Sequence, residues 1–276
     1  MKGKIFKLTA AIAAGVVCFG FSSCHSTYYQ VYDVNASSMM HQDNSLNYEN
    51  EDIKVMYNLW GEEGSIGFVI MNKTSKDIFI DMGQTFFIKN GAANDYFKNR
   101  EYATTNTTEM TLGYSVSRYY SGSDVWSNRY YVPTTIGSMA KLLKGTSNSV
   151  TIRESEFVCV PANSWKVISE YNIYPELFLT CDKKRDFPSL TSTVASFNET
   201  TTPLKFKNRI AYSFTKDGNG LKHIENDFYV SGITNYSKKG AISKEKSKAD
   251  CYSQKETREY FKISGPDRFY KTYNHR

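Results

Sequence analysis

Four histidines, His25, His41, His223 and His275, are where acid–base or metal chemistry near neutral pH would be sought first. A Ser-His-Asp triad or a zinc site would draw on His41 or His223, because His25 adjoins a short apolar run and His275 is next to last. The partners such chemistry needs are missing from the sequence. "GYSVS" (113–117) and "SGSDV" (121–125) lack the GxSxG spacing of a nucleophile elbow, and HExxH is absent. Carboxylates crowd at Glu49, Glu51 and Asp52 and again at Glu62 and Glu63. Glycoside hydrolysis needs two of them about 5–9.5 Å apart across a cleft. Glu62 and Glu63 instead sit in "GEEG", a turn whose tip leaves acids solvated. "DGNG" at 217–220 starts like a calcium loop, but Lys222 stands where glycine is needed and Phe228 where glutamate is needed. The expectation is no catalytic centre, no metal and no cofactor.

Five cysteines are present, and neither CxxC nor any metal-ligand spacing occurs among them. Cys159 lies in "FVCVP", apolar on both faces, which reads as a small buried thiol. Cys159, Cys181 and Cys251 allow three pairings with one thiol left over in an exported chain. The candidate binding residues are aromatic. Tyr119, Tyr120, Trp126, Tyr130 and Tyr131 lie among Ser, Asn and Gly, a mixture suited to protein or sugar surfaces because rigid rings bury area with few rotatable bonds. The alternative is that they pack onto the body as extra strands.

These residues must be positioned by strands. Ile53, Val55, Tyr57 and Leu59 alternate with polar or flexible neighbours, as in a half-buried strand. "GEEG" then turns the chain toward Ile66, Phe68 and Ile70, "NKTSKD" leads to Ile78 and Ile80, and "DMGQ" leads to Phe86 and Ile88. Asn90-Gly91 is a strong hairpin signal, since both residues tolerate positive φ. Four short strands within residues 52–97 predict an antiparallel meander. Residues 101–149 differ: 16 of the 49 are Ser or Thr and six are Tyr. They read as a long insertion with one short helix, which Thr135 caps, which carries Ile136, Met139, Ala140 and Leu143 on one face, and which Gly145 stops. Alternation resumes at Trp165, Val167, Ser169, Tyr171 and Ile173, and again from Leu204 to Phe214. The stretch "GFVIMNKTSKDIFID" resembles the strand–turn–strand unit of immunoglobulin-like domains in bacterial lipoproteins. That resemblance implies a mainly β fold, an antiparallel immunoglobulin-like β-sandwich, and no particular function.

The first residues address the chain. Lys2, Lys4 and Lys7 precede 14 uncharged residues, Leu8 to Phe21, and then Ser22-Ser23-Cys24. A helix needs roughly 20 residues to span a bilayer, whereas a signal peptide's apolar region has about 7–15. The pattern resembles a bacterial lipobox, with Phe21 where leucine is usual. The resemblance implies cleavage of residues 1–23, acylation (palmitate) at Cys24 and anchorage to the outer membrane, since His25 stands where an inner-membrane retention signal has aspartate; it implies a periplasm-facing chain, with exposure at the cell surface as the alternative. The alternative is ordinary cleavage near Ser23 with Cys24 unmodified.

The formal charge of +6 is unevenly distributed. Three of those charges belong to the leader's lysines, and residues 237–276 alone hold 11 Lys/Arg against 5 Asp/Glu, so residues 24–236 sum to about −3. The 237–276 segment, with "SKKGAISKEKSKAD", reads as a basic tail without a core face, although "REYFKI" and "DRFYKTY" can dock locally. Residues 24–236 read as the anchored domain. The functional expectation is a lipid-anchored envelope protein acting as a structural or protein-interaction module. A glycan- or protein-binding role of the aromatic insertion and a periplasmic hydrolase are the alternatives, and export makes nucleic acid an unfitting partner.

Overall fold

The computed structural model describes residues 26–42, 44–105, 149–173, 187–246 and 257–274, with only the backbone described for 102–105 and 149–152. Cys24, the aromatic set Tyr119, Tyr120, Trp126, Tyr130 and Tyr131, the helix expected at 135–145, Cys181 and Cys251 lie outside the described residues.

Antiparallel strands make up about 60% of the described residues. In order these are β1 (Thr27–Asn35), β2 (Met40–Gln42), β3 (Ser45–Glu49), β4 (Ile53–Tyr57), β5 (Phe68–Asn72), β6 (Ile78–Lys89), β7 (Ala92–Asp95), β8 (Glu101–Thr105), β9 (Ser149–Arg153), β10 (Phe157–Val160), β11 (Trp165–Ile168), β12 (Thr191–Ser196), β13 (Lys205–Ser213), β14 (Lys222–Ser237), β15 (Ile242–Lys246), β16 (Thr257–Phe261) and β17 (Arg268–Asn274). A single helical turn, α1 (Lys238–Ala241), is capped by Ser237, whose Oγ accepts the Gly240 N–H. The large sheet runs β10-β6-β13-β14-β1-β17, with β7 added to β6 and β12 to β14; the small sheet runs β11-β5-β4-β3-β2. Both contribute to one core. Val55, Tyr57, Phe68 and Ile70 of the small sheet share it with Ile80, Ile210, Phe228 and Val230 of the large one.

The expected meander is corrected. β4 and β5 do pair, but β5 and β6 belong to different sheets, so "NKTSKD" carries the chain across the core. Asn72 anchors that crossing: its Nδ2 donates to the carbonyls of Lys76 and Val160, while its Oδ1 accepts the Thr74 N–H. Period-two alternation reports that one face is buried; it does not report which sheet a strand joins. "DMGQ" is likewise no connection between strands. It is a bulge inside β6, fixed where Thr85 Oγ1 donates to the Asp81 carbonyl and accepts the Ala211 N–H. Asn90-Gly91, at φ 48° and 87°, forms the β6–β7 turn that its sequence predicts.

A second correction concerns residues 237–276. β17 is the edge strand of the large sheet and pairs over its whole length with β1, from Thr27 opposite Asn274 to Asp33 opposite Arg268. Phe269 is fully buried and stacks on Tyr32 with ring centroids 4.7 Å apart. The β15–β16 hairpin covers the outer face of that sheet, where Ile242 and Phe261 pack with Tyr29, Val31 and Tyr270. β1 is therefore covered on both faces, and its Tyr29, Gln30, Val31 and Tyr32 are buried in succession. The high lysine content masks these aromatics, which are spaced for a strand whose partner residues run from Asp33 opposite Arg268 to Thr27 opposite Asn274, at the other end of the sequence.

Candidate functional site

The outer face of the small sheet is the candidate site. The alternation that sends Ile53, Val55 and Tyr57 inward sends Lys54 and Met56 outward on β4, and on β5 it leaves Val69 and Met71 outward. β11 adds Trp165 opposite Met71 and Val167 opposite Val69. Cross-strand register then makes one row, Val167–Val69–Met56–Asn47–Met40, across all five strands. Trp165 is 62% exposed, Val167 58%, Met40 64% and Met71 37%. Beside this row an open groove of about 150 Å³ has Met56, Val69 and Val167 as its apolar wall and Asn44, Asn58 and Ser169 among its polar lining. β11 terminates the sheet, so a short strand edge borders the same face.

The alternation expected from Trp165 to Ile173 leaves the face open, and the structure settles it: Trp165 and Val167 are exposed, and it is Ile168 that points inward, opposite Phe68. Regular strand geometry ends at Ile168, so the phase is lost before Ile173 reaches the core. The only sequence signal for the site was a tryptophan opening a strand after "PANS", and that signal does not choose a face.

The residues considered for catalysis are dispersed. His41 and His223 are exposed on β2 and β14, in different sheets. Glu49 pairs with Lys73 at 2.6 Å and Asp52 with Lys222 at 2.5 Å. The hydrogen bond from Lys222, then that from Tyr212, hold the Asp52 pKa below its ordinary value against the opposing effect of burial. Glu62 and Glu63 are not at a solvated tip: Thr272 donates to Glu62 at 2.5 Å, and Lys271 meets Glu63 at 3.1 Å. Both turn residues are thus docked on β17. "DGNG" is a turn, with Gly218 and Gly220 at φ 75° and 71°. Cys159 is half-buried and its thiol is free. Among the described residues, no cluster of His, Cys, Asp and Glu could hold a metal ion.

One carboxylate pair escaped the sequence reading. Arg100 meets Glu154 at 2.6 Å and Glu170 at 2.7 Å, and Lys98 joins Glu170 at 2.9 Å. The backbone N–H groups of Lys98 and Arg100 also donate to Glu154. The Arg100 hydrogen bond is the main cause that lowers the Glu154 pKa to about 2. At Glu170 burial opposes ionisation, but the hydrogen bonds and positive charges of Arg100 and Lys98 together outweigh it and leave that pKa lowered as well. Two carboxylates so held are poor proton donors near neutral pH. Their geometry is that of a clamp at the root of the β8–β9 hairpin, where residues 106–148 leave and return.

The site therefore offers apolar contact, a tryptophan and a strand edge rather than acid–base chemistry. Compared with protein-family models, curated proteins and solved structures, the chain matches none.

Proposed function

We propose that this chain is an exported, lipid-anchored protein of the bacterial outer membrane, facing the periplasm, that acts as a protein-interaction module on an immunoglobulin-like β-sandwich. The observation that carries the interaction role is the outer face of the small sheet, where Trp165, Val167 and Met71 stand exposed together and Met40 is exposed at the opposite edge of the sheet. Contiguous exposed apolar patches on soluble proteins mark contact sites, and tryptophan is enriched among the residues that dominate binding energy. The anchor rests on the Lys-rich start, the short apolar run and Ser-Ser-Cys. In keeping with it, β1 enters the interior of the large sheet at Thr27, three residues after Cys24. The immunoglobulin-like assignment is supported by two facing antiparallel sheets and by the "NKTSKD" crossing between them.

Two experiments test the parts separately. Cys24→Ala should abolish incorporation of labelled palmitate and release the chain from membranes; undiminished labelling would refute the anchor. A photo-crosslinker at Val167 in the native envelope should capture a discrete partner, and Trp165→Ala should reduce that capture while folding stability stays within about 0.5 kcal/mol of wild type. Equal capture from both chains would remove this face from the reading.

A further inference from the structure

We infer that the end of the large sheet nearest the N-terminus is a membrane-contact surface for anionic phospholipid headgroups, made of two outward apolar side chains and a group of lysines. This inference rests on the anchored reading above. Register places the ends of four strands, β1, β17, β14 and β12, at one end of the sheet: Thr27 lies opposite Asn274, Tyr28 opposite Ser237, and Thr191 opposite Tyr236. Thr27 is the third residue after Cys24, a separation of at most roughly 10 Å, so an acylated Cys24 would hold this end, and no other, against the bilayer.

The side chains at that end suit such a surface. Phe187 sits on the rings of Tyr28 and Tyr273, at 5.2 and 6.0 Å, yet remains 42% exposed. Leu190 is 49% exposed although its backbone is fixed, because its carbonyl accepts the Ser237 N–H at 3.0 Å. Beside them, α1 presents Lys238 and Lys239 to solvent, and Lys262 donates to the Lys239 carbonyl at 3.0 Å. The backbone of α1 is pressed onto this loop so closely that a Cβ at Gly240 would lie 2.1 Å from the Leu190 carbonyl oxygen. The lysines and the apolar pair are therefore held as one rigid unit. Residues 237–246 and 257–262 carry six basic residues, Lys238, Lys239, Lys244, Lys246, Arg258 and Lys262, against Glu245 and Glu259. Glu259 is shared between Lys238 at 3.0 Å and Lys244 at 3.6 Å, which leaves the excess positive. Apolar side chains that enter the headgroup boundary, flanked by lysines attracted to anionic lipid, are the two components of interfacial binding.

The test uses the chain from His25 onward, which keeps every described residue and carries no acylated cysteine. Its co-sedimentation with vesicles of phosphatidylcholine containing phosphatidylglycerol is compared with that on phosphatidylcholine alone. Binding should favour the anionic vesicles and fall with added salt. Lys238→Gln with Lys239→Gln should weaken it by roughly tenfold or more, from about fivefold per lysine near an anionic surface. Leu190→Ser should weaken it too, and Trp165→Ser, on the small sheet, should not. Lys239→Glu is the back-up variant, because the contact found for Lys239 uses its carbonyl and not its side chain. Equal binding to both vesicles, or lysine variants that keep both their near-UV dichroism and wild-type binding, would overturn the inference. Since this chain has no Cys24, a negative result here leaves palmitate labelling of the full chain unaffected, and a failed labelling experiment leaves this measurement intact.

Discussion

Phe269→Ala decides whether residues 237–276 are a tail or part of the body. Phe269 is fully buried, stacks on Tyr32 with ring centroids 4.7 Å apart and planes 3° from parallel, and belongs to the main core. Gly64 closes over the same ring: a Cβ there would lie 2.8 Å from Phe269 Cγ. With so little room for neighbours to relax, truncation removes the transfer free energy of a whole phenyl ring and leaves most of its volume empty. Such changes cost about 3–5 kcal/mol, a large part of the roughly 5–15 kcal/mol that holds a domain folded. The loss should appear in urea unfolding as a midpoint lower by about 1 M or more, with the slope unchanged, given a slope near 3 kcal/mol/M for a chain of this size. An aromatic on a solvated tail would give less than about 0.5 kcal/mol. A midpoint shift below about 0.2 M would refute the placement of β17 in the sheet and, with it, the correction to the domain boundary.

Two further outcomes follow from the geometry. Gly64→Ala combines a φ of 71° with clashes against Phe269 and Ile173 and should cost more than Gly91→Ala, where φ is 87° but nothing lies within 4 Å; comparing the two melting temperatures measures the steric part. The Arg100 clamp should make stability pH-dependent. The Glu154 pKa is lowered in the folded state, so its contribution is complete above the ordinary value of 4.5 and is lost as pH falls from there toward about 2. Because Arg100 is about one-third exposed, solvent screening keeps the pair's contribution small. Asp33, whose pKa is raised mainly by burial, works in the opposite direction over the acid range. The stability difference between wild type and Arg100→Met, followed by denaturant titration, should shrink as pH falls through that window; a constant difference would show that the ion pairs contribute nothing.

Local physics makes much of this protein legible in its sequence. Alternation at Ile53–Tyr57 and Leu204–Phe214 fixes strands and their buried faces, because a pleated chain sends successive side chains to opposite sides. Asn90-Gly91 fixes a turn because these residues accept positive φ. The tertiary structure alone decides how those pieces combine. It sends β5 and β6 to different sheets, turns Trp165 and Val167 outward, and recruits Arg268–Asn274, beside the basic stretch, as a neighbour of β1. It also gathers Arg100, Glu154 and Glu170, which no sequence spacing links. Each of these depends on pairing between residues far apart in the chain, and the period of two is the same whichever sheet or face a strand finally joins.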